Sequence, residues 1–234
     1  MIKGAIFDVD GTLLDSMEIW ETAASLYLKK LGICPQAELG RILYAMSMEE
    51  SAKYLIQTYH LPYDETTIID GIYQVISDFY RYEVREKKGV KDFLLSLSSK
   101  QIPMVIATSG NRELVEVALK RLGIRSYFQE IFTCSDLQTT KAEPTIYKKA
   151  AALLSFKKEE TMVFEDALFA LETAYLAGFP TTRVYDRFQH RNSSCSYGNR
   201  GFYRFFYILE KGRNTFSRIR KRDNYENSIN NRWK

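Results

Sequence analysis

Five short apolar runs, separated by stretches with helical spacing, constrain this chain more than any other feature of it. The runs cover residues 2–7, 102–107, 131–134, 161–164 and 181–185. Alternation of this kind predicts a mostly parallel sheet with crossover helices, an α/β doubly wound architecture. Between residues 111 and 123, Leu114, Val115, Ala118, Leu119 and Leu122 recur at spacings of three and four, Asn111 stands where a cap is needed and Gly123 can end the helix. Pro144 is placed to open a further helix, because a proline in the first turn gives up only an amide that had no partner. A last helix over 167–177 stops at Gly178.

One stretch breaks the alternation. From Ser16 to Lys88 there is no strand pattern, only apolar stripes at helical spacing: Trp20, Ala23, Ala24, Tyr27, Leu28 and Leu31, then Ala52, Leu55 and Ile56, then Ile72, Val75, Ile76 and Phe79. A crossover needs only about a dozen residues, so roughly 70 imply a helical subdomain inserted after the first strand. The expected organisation is a catalytic core of residues 1–15 and 88–185, a helical cap over 16–87, and a separate segment over 186–234. Asp15 and Glu18 have capping-box spacing where the insertion begins.

In a doubly wound sheet, ligands bind beyond the carboxyl ends of the strands. The first run ends in Asp8 and Asp10, the second in Thr108 and Ser109, the fourth in Glu165 and Asp166, and Lys141 precedes the helix after the third. Taken singly, each has a plain reading as a turn, a helix cap or a surface lysine. Delivered together to one edge, the carboxylates would repel one another unless a cation sat among them. A hard divalent ion with oxygen ligands fits, and magnesium fits best because it leaves positions open for phosphate oxygens. Lysine and threonine beside it could grip the remaining oxygens of a phosphoryl group. Asp8 and Asp10 divide into a nucleophile and a proton carrier, with Gly11 permitting the turn that follows.

The ordered set Asp8-Val9-Asp10-Gly11-Thr12, Thr108, Lys141 in Lys-Ala-Glu-Pro and Phe164-Glu165-Asp166 resembles the haloacid dehalogenase superfamily, in its branch of β-phosphoglucomutase-like and phosphoglycolate phosphatase-like enzymes with a cap after the first strand. The resemblance implies that Asp8 attacks phosphorus to form an aspartyl phosphate, that Asp10 protonates the leaving alcohol and then activates water, and that Thr108, Ser109 and Lys141 hold the phosphoryl group. It implies Mg2+ bound by Asp8, the Asp10 carbonyl, Asp166 and Glu165, the last directly or through water. Trp20 and Met48 stand where phosphomutases of this type carry a histidine and a phosphate-gripping arginine, so both are candidate substrate-binding residues of a more apolar cap wall. A phosphatase of a small phosphorylated metabolite is therefore expected. The alternatives are a sugar phosphomutase and a non-enzymatic phosphoacceptor signalling domain, which would need neither cap nor Asp10; a dehalogenase would need no metal.

The net charge of +4 is unevenly spread. From residue 186 onward there are 12 Lys and Arg against 4 Asp and Glu, leaving 21 against 25 before it. Seven of the eight asparagines also lie there, and Ala, Val and Pro are missing from it. So abrupt a change reads as a frameshifted or non-homologous end; its interleaved aromatics and cations would otherwise suit an anionic surface, though nucleic acid is not the expected partner. Three widely spaced cysteines, Cys34, Cys134 and Cys195, show no metal or redox spacing and fit a reducing compartment. With no membrane-length apolar run and no signal peptide pattern, the expectation is a cytoplasmic, monomeric enzyme without membrane contact.

Overall fold

The structure is a computed structural model that describes residues 2–43 and 46–186. Five strands, β1 (Gly4–Phe7), β2 (Met104–Thr108), β3 (Phe128–Thr133), β4 (Thr161–Glu165) and β5 (Thr181–Arg183), form one sheet in the order β3-β2-β1-β4-β5. Every pairing is parallel. The chain builds outward from β1 through β2 to β3, then crosses to the other side of β1 for β4 and β5. Strand order therefore reverses at β1, which places a crevice beyond its carboxyl end.

Every residue of β1 and β2 is buried, which is why they read as continuous apolar runs rather than as alternating ones. Successive side chains nevertheless serve different faces. Ala5, Phe7, Met104, Ile106 and Phe164 join an apolar cluster with Val90, Leu94 and Leu97 of α5 (Val90–Ser99) and Val115, Ala118 and Leu119 of α6 (Arg112–Arg121). Ile6, Val105, Ala107 and Val163 join a second cluster with Ile146, Tyr147 and Ala150 of α7 (Thr145–Leu154) and Ala174 of α8 (Leu168–Leu176). Helices thus cover both faces, as the alternation of runs and helical stretches requires.

The element boundaries move slightly from the sequence reading. Strand β2 takes in Thr108, and β3 starts three residues early, at Phe128. Pro144 caps α7 from just outside instead of occupying its first turn. Asn111 does cap α6, its side chain accepting from the Leu114 N–H at 3.2 Å.

Among the described residues, four helices and a π-turn lie between β1 and α5: α1 (Met17–Lys30), α2 (Leu39–Leu43), α3 (Met48–Tyr59), α4 (Glu65–Asp78) and the turn Phe79–Glu83. Helix α1 packs on α2 and α4, and α3 packs on α4. The buried stripes are largely those read from the sequence: Ala23, Tyr27 and Leu28, then Ala52 and Leu55, then Ile72, Val75 and Ile76. Trp20 is the exception, half exposed and off the buried face. The segments leading into and out of the insertion run side by side, with the Asp15 N–H donating to the Arg85 carbonyl and the Lys87 N–H to the Leu13 carbonyl, both at 2.9 Å.

The expected capping box at Asp15 is not what starts α1. The N-cap is Ser16, whose side chain makes no cap bond, because its hydroxyl is committed to Asp10. A complete capping box occurs instead at α3, between Ser47 and Glu50. Cys34 is exposed and Cys134 buried, both as free thiols. The basic segment and Cys195 lie outside the described residues. Among the described residues, no helix is long and apolar enough to cross a membrane.

Candidate active site

The turn after β1 sets the geometry. The Val9 carbonyl accepts from the N–H groups of Thr12, Leu13 and Leu14 at 2.9–3.2 Å, and Gly11 sits at φ 80°, where a side chain is strained. A Cβ on Gly11 would also fall 2.2 Å from Asp166 Oδ2. This residue must be glycine both for its backbone and for the carboxylate beside it.

Asp8, Lys141, Glu165 and Asp166 are all buried. Lys141 Nζ forms ion pairs with Asp8 Oδ1 and with Glu165 Oε2, the latter at 2.7 Å. The Tyr147 hydroxyl donates to the same Glu165 oxygen at 3.3 Å, and the Ala167 N–H donates to Oε1 at 3.3 Å. Both Glu165 oxygens are therefore occupied. Asp8 Oδ2 and Asp166 Oδ2, by contrast, are buried without a partner. Carboxylate oxygens of Asp8, Glu165 and Asp166 lie within 4.8 Å of one another.

Electrostatics follow from this crowding. Burial first, then the Asp8 and Glu165 charges, pushes Asp166 up to about 9. Burial and Asp8 raise Glu165 to about 7 against the opposing pull of Lys141. Burial works against the Lys141 ammonium, but Asp8 and Glu165 outweigh it and hold the group well above an ordinary lysine. One cation among three carboxylates leaves negative charge uncompensated, and two of the three carry a buried oxygen without a partner. A hard cation fits this donor set.

Asp10 stands apart from that cluster. Its Oδ1 accepts from the Ser16 hydroxyl at 2.6 Å and from the Tyr80 hydroxyl, while burial and the Asp8 charge raise its pKa. Its other oxygen, Oδ2, lies 2.9 Å from where a Gly110 Cβ would stand, with Thr108 Oγ1 3.2 Å from the same point. Thr108 is fully buried, and its Oγ1 accepts from the Gly110 N–H at 2.9 Å. The hydroxyl proton remains available to a ligand. Ser109 is exposed, its Oγ 3.5 Å from Cys134 Sγ.

The structure thus gathers Asp8, Asp10, Thr108, Lys141, Glu165 and Asp166 at the reversal point of the sheet. Trp20 lies beside the Tyr80 hydroxyl. Met48 opens α3, partly buried against the large apolar cluster. The Asp10 carboxylate is not among the clustered metal-type oxygens. Three residues of the site, Ser16, Tyr80 and Tyr147, went unread in the sequence; only Ser16, a serine just before a helical stretch, carried a local signal, and that signal pointed to a cap.

The profile of haloacid dehalogenase-like hydrolases matches residues 5–184. The chain belongs to this family. Among curated relatives it is similar to the phosphorylated carbohydrates phosphatase of Thermotoga maritima, 25% identical over 185 residues that cover 79% of this chain and 84% of that one. It is also similar to hexitol phosphatase A of Escherichia coli, 28% identical over 186 residues, covering 75% and 80%. Among solved structures, a candidate β-phosphoglucomutase from Thermotoga maritima superposes with a TM-score of 0.73 at 23% identity, covering 79% of this chain and 87% of that one. The Bacillus subtilis hydrolase YfnB, solved with magnesium, gives 0.66 at 19%, covering 78% and 88%. At these identities the structures speak for the fold, an α/β architecture shared across the family.

Proposed function

We propose that this haloacid dehalogenase-like hydrolase is a magnesium-dependent phosphatase that cleaves a small phosphate monoester through an aspartyl phosphate on Asp8. The observation that carries this reading is the buried Asp8–Lys141 pair beside two unpartnered carboxylate oxygens, Asp8 Oδ2 and Asp166 Oδ2. A bound magnesium ion, held at Asp8, Asp166 and the Asp10 carbonyl, would offset charge and orient phosphoryl oxygens. Glu165 would act through water, since its own oxygens are already engaged by Lys141, Tyr147 and the Ala167 N–H.

Asp8 attacks phosphorus, the ester P–O bond breaks, and Asp10 delivers its proton to the departing alkoxide. A raised pKa suits Asp10 to this task because it favours the protonated form at the outset. Lys141 holds Asp8 in place and meets a phosphoryl oxygen as charge transfers to it, and Thr108 donates its hydroxyl proton to another. Asp10, now a carboxylate, takes a proton from water as that water attacks the phosphoenzyme; phosphate leaves and Asp8 is regenerated. The helical insertion over 16–87 serves as the cap that excludes bulk water and reads the leaving group.

Water as the final acceptor is supported by Trp20 and Met48 in place of a second phosphate anchor, and by relatives whose names specify phosphatases of sugar and hexitol phosphates. A phosphorylated carbohydrate or polyol is accordingly the first substrate class to test. Purified protein is to be assayed for phosphate release from a panel of monoesters with and without magnesium, alongside Asp8→Asn. Hydrolysis that requires the metal and vanishes in the variant is expected. Retained turnover in Asp8→Asn removes Asp8 as nucleophile, and a stable phosphoaspartate with no release from any monoester favours the signalling alternative.

A further inference from the structure

We propose that Tyr80 is a positioning residue that fixes which oxygen of Asp10 delivers the proton; the inference rests on the phosphatase reading above. Tyr80 is 2% exposed and sits in the π-turn that closes the helical insertion. The turn is held at its far end by the core: the Val84 N–H returns to the Phe79 carbonyl at 2.8 Å, and Arg121 of α6 donates to the Tyr80 carbonyl at 3.3 Å and to that of Val84. From this support the Tyr80 hydroxyl reaches back 70 positions along the chain to Asp10 Oδ1. Ser16, at the other end of the insertion, donates to the same oxygen.

Two hydroxyl donors on one oxygen decide the chemistry of the other. A neutral carboxyl has one oxygen that only accepts and one that carries the proton. With Oδ1 accepting from both Ser16 and Tyr80, the proton resides on Oδ2, the oxygen on the Thr108 and Gly110 side. Cleavage then breaks the ester P–O bond and the Oδ2–H bond and forms the alcohol O–H bond. The electron pair left on Asp10 is shared with Oδ1, where the two donors already stand. Placing them there before the reaction means that no reorganisation is needed as the charge appears. Motif reading could not find this residue, because nothing near Tyr80 in the sequence distinguishes it from the other tyrosines.

The role separates from simple structural support through the leaving group. An alkyl alcohol needs a proton in the transition state, whereas 4-nitrophenolate leaves without one. The test compares kcat/KM for a primary alkyl phosphate with that for 4-nitrophenyl phosphate in wild-type protein, Tyr80→Phe and Ser16→Ala, with thermal melts confirming that each variant folds. We expect Tyr80→Phe to lose about tenfold or more on the alkyl substrate and to stay within about twofold on the aryl one, as misplacing a general acid predicts. Ser16→Ala shows the same split and stands in should Tyr80→Phe not fold. Equal losses on both substrates, or no loss on either, overturn the assignment of Tyr80 while leaving the phosphatase reading intact. Wild-type protein inert towards every monoester of the panel overturns the phosphatase reading itself.

Discussion

Lys141 and Asp8, 133 residues apart, form an ion pair whose side chains are 4% and 6% exposed. The pair is extended by Glu165, so that one ammonium is shared by two carboxylates with a third, Asp166, close by. Such a cluster is a poor device for stability alone, since desolvating the charges offsets much of their attraction. In the proposed mechanism its sense lies in holding a nucleophile and meeting the charge of a phosphoryl group.

Removing the cation should therefore damage both folding and activity. Lys141→Met leaves Asp8 and Glu165 buried without their partner, a change that costs about 3–5 kcal/mol when a buried pair is broken. Activity should fall by about 10²–10³-fold or more, the scale for losing one preorganised charge-stabilising donor. Chemical denaturation and steady-state hydrolysis measure the two losses. A variant with undiminished turnover removes Lys141 from the mechanism.

The raised carboxylates give the metal-free protein a pH dependence of definite sign. Burial and the neighbouring charges push Asp166 up to about 9 and Glu165 to about 7, against ordinary values of 3.8 and 4.5. Between those limits these two groups bind more protons in the folded state than in the unfolded one, so their contribution to stability is greatest near pH 4 and declines as pH rises toward 9. Magnesium, which favours the ionised carboxylates, should stabilise more at pH 8.5 than at pH 5. At a hundredfold excess over Kd the rise in Tm at the higher pH should be about 5 to 10 °C. Melts in EDTA and in magnesium across this range provide the check, and a gain independent of pH argues against these carboxylates as the binding site.

Gly11→Ala probes the same site by steric means. The new methyl would meet Asp166 Oδ2 at 2.2 Å, on a backbone at φ 80°. Displacement of Asp166 should raise the magnesium concentration needed for half-maximal activity, and left-handed strain should lower stability by about 1–2 kcal/mol. A metal titration followed by both activity and Tm reads the two effects. Unchanged metal dependence would show that the Asp166 carboxylate does not serve the metal.

Gly71 tests the packing of the insertion. It lies inside α4, where alanine normally stabilises a helix by about 1 kcal/mol relative to glycine. Here a Cβ would stand 2.1 Å from Cε2 of the Tyr27 ring. Gly71→Ala should reverse the usual sign and destabilise by about 1–3 kcal/mol, the range for overpacking. Urea denaturation decides; a stabilised variant would mean that α1 and α4 do not pack so closely.

Much of this molecule is local and so was legible along the chain. The strand runs at residues 2–7 and 161–164 are continuous because both faces of the sheet are covered, and a doubly buried strand has no polar face to show. The stripes at Ala52 and Leu55 and at Ile72, Val75 and Ile76 mark helices because their buried sides repeat at helical spacing. Family motifs located Asp8, Asp10, Thr108, Glu165 and Asp166 because each stands at or just beyond the end of a strand, and Lys141 because its motif fills the turn before α7.

What only the tertiary structure decided is how those groups are occupied. Ser16 has the position of a helix cap, yet its hydroxyl goes to Asp10, since a buried carboxyl offers it a stronger partner than an amide that water can reach. Tyr80 reaches Asp10 across 70 residues and Tyr147 reaches Glu165 across 18. Trp20 shares a stripe with buried residues but stays half exposed. The sequence determined which residues stand at the ends of the strands. The fold determined which of their oxygens are already paired and which, at Asp8 and Asp166, are buried with no partner, because hydrogen bonding between distant segments leaves no period in the chain to read.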